Sequence, residues 1–338
     1  MKRTGFVIAA VALQFAVLAF MAGKREAVLL SGRTIWMRTA PIDPRDIFMG
    51  DFVRLSYPIN RIAPDEIRGE LKAHINERSR RVFVALRESD DGLAELEYAT
   101  GDRPAGPIYI KGRIGDPQWW FGSGMAVKYG IERYYVQQGL GLDMEKRLGE
   151  RGGVQVPMEV ALALGSDGTA IIRDHRWCAI GIGIVTIAPE APANEPRVTP
   201  LPVKVKILLQ NASDAPLAII DLPNLGAFEL SSVSVDEKRY VLAQPIERNI
   251  ALSESHVVVL QPGETRETII DTADPRWFVI ESGSEVKPVA MATLNWGHTF
   301  RFVYAPPSRS ECAQLSNAHL IWHGRLPSQA FHGGGRVD

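Results

Sequence analysis

The alternation of hydrophobic and polar positions changes character once, early in the chain. Residues 5–22 run apolar with a single polar member, Gln14, between Lys2 and Arg3 on one side and Lys24 and Arg25 on the other. At 1.5 Å per residue this stretch makes about 27 Å of helix, close to the thickness of a hydrocarbon core. A secretory signal should close on a small-x-small cleavage site. Phe20-Met21-Ala22 places a bulky side chain where the first small residue belongs, and the run is longer than a signal core. Residues 1–25 therefore read as a retained signal-anchor helix. Its N-terminus is expected in the cytoplasm and the bulk of the chain on the periplasmic or extracytoplasmic side. The longest later apolar run, residues 178–189, is too short to span and reads as a buried strand.

Beyond the anchor the period becomes two. Ile35 and Met37 alternate with Thr34, Trp36 and Arg38. Val82, Val84 and Leu86 form a second such series, and Leu96 and Tyr98 alternate with Glu95 and Glu97. Ile108 with Ile110, and Val156, Met158, Val160 and Leu162, continue the pattern. One apolar and one wet face mark antiparallel sheet. Asp91-Gly92, Gly101-Asp102 and Asp167-Gly168 supply turns between the runs. Two stretches differ. Residues 64–78 open with Pro64-Asp65-Glu66 and space Ile67, Leu71 and Ile75 by four, which predicts a helix. Residues 142–148 predict a short one.

Residues 189–200 are rich in Pro, Ala and Glu without apolar period, which reads as an extended linker. The domain at 30–188 precedes it. After it, Val203-Val205-Ile207, Leu217-Ile219, Phe228-Leu230, Val257 to Leu260, Val289 to Thr293 and Phe300-Phe302-Tyr304 read as further strands. Gln261-Pro262-Gly263-Glu264 reads as a turn. About seven short strands over residues 201–308 predict an immunoglobulin-like β-sandwich. Leu320-Ile321-Trp322 reads as a strand within a C-terminal tail, 309–338. The fold class expected is mainly β: a transmembrane helix followed by two β-rich domains.

Composition narrows the function. The chain has 338 residues with 38 Lys+Arg against 39 Asp+Glu, a net charge of −1, so it lacks the basic excess that phosphate neutralisation needs, and no nucleic-acid partner is expected. Two cysteines, Cys178 and Cys312, are too few for a disulfide scaffold and lack metal-ligand spacing; in an oxidising compartment they are a candidate pair. His319 and His323 lie four apart with His332 nearby, but no carboxylate joins them closely, and neither metal nor cofactor is expected.

The densest chemistry lies at residues 38–57. Asp43-Pro44 starts a turn, Gly50-Asp51 supplies the next, and Val53, Leu55 and Tyr57 then face one side of a new strand. Arg38, Asp43, Arg45, Asp46 and Asp51 crowd around these turns, either as a ligand site or as ion pairs and caps that fix the loop. A second cluster gathers Trp119, Trp120, Phe121, Tyr129, Tyr134 and Tyr135 with Lys128, Glu132 and Arg133. It suits a glycan or peptide groove near 119–135, a partner interface, or the core and rim of a sheet.

Residues 50–57, Gly-Asp-Phe-Val-Arg-Leu-Ser-Tyr, resemble the signature of the GDYXXLXY family, with Phe52 in place of the tyrosine. Lys128-Tyr129-Gly130-Ile131-Glu132-Arg133-Tyr134-Tyr135-Val136, through Gly139 and Glu145, resembles its second block. The resemblance spans about residues 30–180. It implies a membrane-anchored envelope domain, often found beside multi-pass membrane proteins, without established catalysis. Phe52 lacks one hydroxyl that the family name carries.

An enzyme reading competes. Pro44 with residues 50–53 looks like the first box of type I signal peptidases, and residues 111–117 loosely resemble their lysine box. Such a serine–lysine hydrolase needs a hydroxyl beside an unprotonated lysine. Ile42 stands at the matching position, and the nearest hydroxyl, Thr39, is out of register. The reading that follows is a non-enzymatic envelope protein that binds or scaffolds a partner, itself a membrane or envelope protein.

Overall fold

The fold is given by a computed structural model, which describes residues 2–40, 52–89, 91–116, 124–136, 144, 152–187, 201–234, 238–283 and 287–335. It is mainly β, behind one N-terminal helix.

The helix runs from Lys2 to Ser31, six residues beyond the expected anchor. Its segment Phe6–Ser31 is long and apolar enough to cross a membrane, and its apolar window is not covered by the rest of the chain. Only its last turns meet the folded body. Lys24 lies 3.7 Å from Asp167, and Arg173 donates to the carbonyl of Leu29. The helix stops where Gly32 N–H bonds back to Val28, and the first strand follows directly.

That strand, Arg33–Arg38, pairs antiparallel with Met158–Leu164, which pairs in turn with Ala170–Trp177. Ile35 faces Leu162 and Met37 faces Val160, so the period-two residues of both strands enter one core. A five-stranded sheet completes it, in the order Arg61–Ile62, Met125–Lys128, Tyr109–Ile114, Arg81–Glu88, Ala94–Thr100. Val82, Val84 and Ile110 are fully buried between these layers. Met158–Leu164 departs from expectation. It is buried on both faces, with Glu159, Ala161 and Ala163 on the side expected to be wet.

The predicted helix over 64–78 forms as two short 3-10 turns, Pro64–Glu66 and Gly69–His74. Between them Ile67 bridges to Ala99, and Arg68 N–H bonds the Ala99 carbonyl at 2.8 Å, so the backbone is committed to the sheet edge where a helix would continue. Ile67 and Leu71 are buried as the spacing predicts. Of the helix expected at 142–148, only Met144 is among the described residues, and it is buried.

The second core begins earlier than the linker. Ile180–Ile187, assigned by sequence to the first domain, pairs along its whole length with Lys204–Asn211, from Ile180 opposite Asn211 to Ile187 opposite Lys204. Thr265–Asp271 and Val154–Gln155 flank this pair, and Ile180, Ile182 and Ile184 lie in the second core. Residues 188–200 thus connect two paired strands and do not separate two cores; they lie outside the described residues. Leu217–Ile220 with Val257–Leu260, Phe228–Ser234 with His298–Tyr304 and Leu326–Pro327, and Tyr240–Leu242 with Val279–Glu281 enclose the rest. Phe300, Phe302 and Tyr304 are fully buried, and the Tyr304 hydroxyl accepts from Ile220 N–H and donates to its carbonyl.

Two expected strands are replaced. Val289 makes one bridge to Val279 and the chain then enters a 3-10 turn, Met291–Thr293. Ala318–Leu320 is also a 3-10 turn, leaving Ile321 to bridge to Ala218. The C-terminal segment is no separate tail, because Ile321, Leu326 and Phe331 are part of the second core. The candidate Cys178–Cys312 pair is not made. Both thiols are free and buried, Cys312 inside the second core and Cys178 beside Arg38 and Glu159.

Candidate functional site

The two motif blocks are one structure. Phe52–Arg54 pairs antiparallel with Arg133–Tyr135, placing Phe52 opposite Tyr135, Val53 opposite Tyr134 and Arg54 opposite Arg133. Leu55 N–H extends the pairing to the Glu132 carbonyl at 2.9 Å. Val53, Leu55 and Tyr57 all turn inward, as their alternation predicts.

Tyr57 is 2 % exposed and donates its hydroxyl to the Ile131 carbonyl at 3.0 Å. Tyr129 makes the reciprocal contact, donating to the Ile59 carbonyl at 2.6 Å. Burial, and after it the charge of Glu132, pushes both phenols far above their usual range, so they act as fixed neutral donors. Glu132 is the hub of the turn. One carboxylate oxygen accepts from Tyr129 N–H at 2.6 Å and from Asn60 Nδ2 at 3.1 Å; the other accepts from Gly130 N–H at 2.9 Å. Asn60 also reaches the Val127 carbonyl and caps Tyr57 N–H. Tyr57, Tyr129 and Glu132, candidates from sequence for a ligand or partner site or for the core and caps of the sheet, spend their polar groups holding the two blocks together. Arg133 and Tyr135 project outward on the paired strand, Tyr135 being 69 % exposed. Asp43, Arg45, Asp46, Asp51, Trp119 and Trp120 lie outside the described residues.

Arg38 is not joined to this cluster. It leaves the first strand toward the second core and meets Glu159 through both Nε (3.1 Å) and Nη2 (2.8 Å), and Asp91 through Nη2 (3.0 Å). Its Nη1 donates to the Arg325 carbonyl, and its guanidinium lies 5.2 Å from the Trp322 ring centre. Glu159, only 5 % exposed, uses its other oxygen on Arg176 at 2.7 Å, and Arg176 in turn covers Trp36. Two cations and two anions balance, which is how such buried charge is tolerated. Burial opposes the charge on Arg38, but its surrounding anions more than offset this and hold it protonated. A Cβ at Gly324 would fall 2.6 Å from Asp91 Oδ2 and 2.5 Å from the Trp322 ring, so a side chain there would push one of them aside.

Asp91, Glu159, Arg176, Trp322 and Arg325 had no place in the motif reading. Glu159 carried one usable signal: a lone carboxylate inside the apolar run Met158–Leu164 must find a cation if that run is buried. Lys111, the lysine of the peptidase-like box, bonds Asp167 at 2.8 Å. Burial alone would raise the Asp167 carboxyl, but the Lys111 and Thr169 hydrogen bonds hold it well below the usual range. Thr39 is buried, donating to the Met158 carbonyl and accepting from Met158 N–H. Among the described residues no three His, Cys, Asp or Glu side chains gather as a metal site requires.

The arrangement defines a two-core β protein behind an apolar helix, with a motif that builds a strand pair. Residues 14–174 match the family model described as GDYXXLXY protein, from inside the helix to the Ala170–Trp177 strand. The resemblance read from the two blocks therefore holds for the segment that carries them both. No curated protein and no solved structure matches the chain.

Proposed function

We propose that this chain is a non-enzymatic, membrane-anchored envelope protein that presents its two β cores as one body to a membrane-protein partner. The observation that carries this is the junction of helix and body. The helix continues past its apolar run, and Lys24, Val28 and Leu29 are then met by Asp167, Gly165 and Arg173. A segment cut off after translocation needs no such contacts, so they support retention. Arg38, together with the Arg325 carbonyl and Trp322, fastens the second core to the first. Tethering a stiff body raises its effective concentration for partners in the same bilayer. The bulk is read as non-cytoplasmic from the short positive start before the apolar run and, more than from that, from the β-rich cores that follow it.

The serine–lysine alternative is opposed by the occupied state of both groups it would use: Lys111 is paired with Asp167, and Thr39 with Met158. The glycan or peptide groove loses Tyr129 and Glu132 to internal bonds. A photo-crosslinking residue at Phe15 on the helix and another at Tyr135 on the body test the proposal in intact membranes. One discrete membrane-protein adduct from either site is expected. Adducts to lipid alone, with a monomeric chain under several mild detergents, would reject partner binding.

A further inference from the structure

The helix reaches further than its continuous apolar run. Its membrane-length segment, Phe6–Ser31, has 26 residues and rises about 39 Å, beyond a hydrocarbon core of about 30 Å. On the side that the body leaves open, Leu30 is 78 % exposed, later in the helix than Lys24 and Arg25. An apolar side chain bare at that height places the last turns of the helix in the headgroup layer.

The body meets the helix at the same level, and what gathers there is basic. Arg173 donates to the Leu29 carbonyl and to Thr34 Oγ1. Arg33 opens the first strand opposite Leu164, the residue before the turn whose Gly165 lies against Val28. Arg103 donates to the Ser166 carbonyl of that turn at 2.9 Å. Arg25 precedes Val28 and Leu29 by three and four residues, on the helix face that meets the body. All four arginines are exposed, and their bonds among the described residues go to uncharged oxygens. The nearby carboxylates are engaged or turned away. Asp167 takes Lys111 at 2.8 Å and Lys24 at 3.7 Å, and Asp174 accepts from His175 N–H. Glu26 lies on the helix face opposite Val28. Asp102 is exposed beside Arg103, and the balance stays positive in a chain whose net charge is −1.

We propose that this face of the junction is a seat for anionic lipid headgroups, with Arg25, Arg33, Arg103 and Arg173 answered by phosphates of the bilayer that the helix crosses. It rests on the anchored reading given above. A guanidinium fork matches phosphate oxygens, and basic residues beside a membrane span gain most from an anionic surface within a Debye length of it. The body is then held down on the bilayer by charge as well as by its tether.

The full chain is placed in nanodiscs of phosphatidylcholine, with or without about one third phosphatidylglycerol, and hydrogen exchange is followed at residues 100–107 and 164–169. With phosphatidylglycerol the exchange there should slow at least about fivefold, the factor expected of one arginine near an anionic surface. Salt at about 1 M, where the Debye length falls to about 3 Å, should remove the difference. Arg25→Gln with Arg33→Gln alters two exposed side chains outside both cores, so the variant should fold as the parent does and lose most of the slowing. Flotation with liposomes after alkaline carbonate reads the anchor separately. A chain that does not float overturns the anchored reading and this proposal with it. A chain that floats but exchanges equally in both lipids overturns this proposal alone, as does slowing that survives the double variant or the salt.

Discussion

Arg38 and Glu159, 121 residues apart in sequence, meet at 2.8 Å inside a contact that also takes in Asp91, Arg176 and the carbonyl of Arg325. The pair joins Arg33–Arg38 to Met158–Leu164, and both to the C-terminal segment. Glu159→Gln keeps the volume but leaves Arg38 buried with Asp91 as its remaining carboxylate. Breaking a buried pair from one side costs about 3 kcal/mol. Denaturant unfolding should show a loss of that size, and Arg38→Met with Glu159→Leu together should lose less than the sum of the single changes.

Tyr57→Phe removes one buried hydroxyl and leaves the Ile131 carbonyl unanswered. A loss of about 1–3 kcal/mol is expected. Glu132→Gln should cost more, since its two oxygens serve three donors. If the two phenols and Glu132 instead formed an open ligand site, these variants would lose binding while keeping their unfolding midpoints.

Asp167 and Glu229 both have carboxyls held below their ordinary range. For each, burial alone would raise the value, and the hydrogen bonds and charges of Lys111 and Thr169, or of Arg325 and Arg248, reverse it. A depressed folded pKa gives stability that is full above the unfolded value and fades as pH falls through the folded one. The unfolding midpoint should therefore drop below about pH 4.5, where Glu229 starts to take up protons in the unfolded chain. The double variant Asp167→Asn, Glu229→Gln should start lower and lose less between pH 5 and pH 3.

Both thiols are free and buried, and burial pushes the Cys178 thiol up to about 11, with Arg38 pulling against it. Native protein at pH 8 should react with a thiol reagent far more slowly than protein in guanidinium chloride. The denatured chain should then reveal two thiols without reductant. Recovery of none would restore the disulfide reading.

A Cβ on Gly32 would collide with the Val28 carbonyl and fall 3.0 Å from that of Leu164. Gly32→Ala should disturb the seam between helix and sheet. Hydrogen exchange in detergent should quicken at residues 26–31 and 164–167 while the second core keeps its protection.

What could be read from sequence followed local rules. The inward turn of Val53, Leu55 and Tyr57 needs only a period of two, and the membrane-length helix only a count of apolar residues. That the two motif blocks pair could not be read, because Phe52 and Tyr135 meet through register and not through proximity in sequence. The helix expected at 64–78 failed because Ile67 and Arg68 found a strand edge at Ala99, a tertiary contact that overrides four-residue spacing. The domain boundary failed for a related reason. A proline-rich stretch looks the same whether it separates two cores or links two paired strands, and here it links Ile180–Ile187 to Lys204–Asn211.

The unbroken run of helix into body has a mechanical consequence. Residues 23–31 rise only about 14 Å beyond the apolar stretch, roughly the depth of a headgroup layer. Lys24 is held near the start of this stretch and Val28 and Leu29 near its end, so in the anchored state proposed above no long free segment separates bilayer from body. On the anchored reading proposed above, a lean of the helix in a bilayer would be passed on to both cores. Bilayer thickness, or a neighbouring helix that changes this lean, would aim the protein as a lever aims its load.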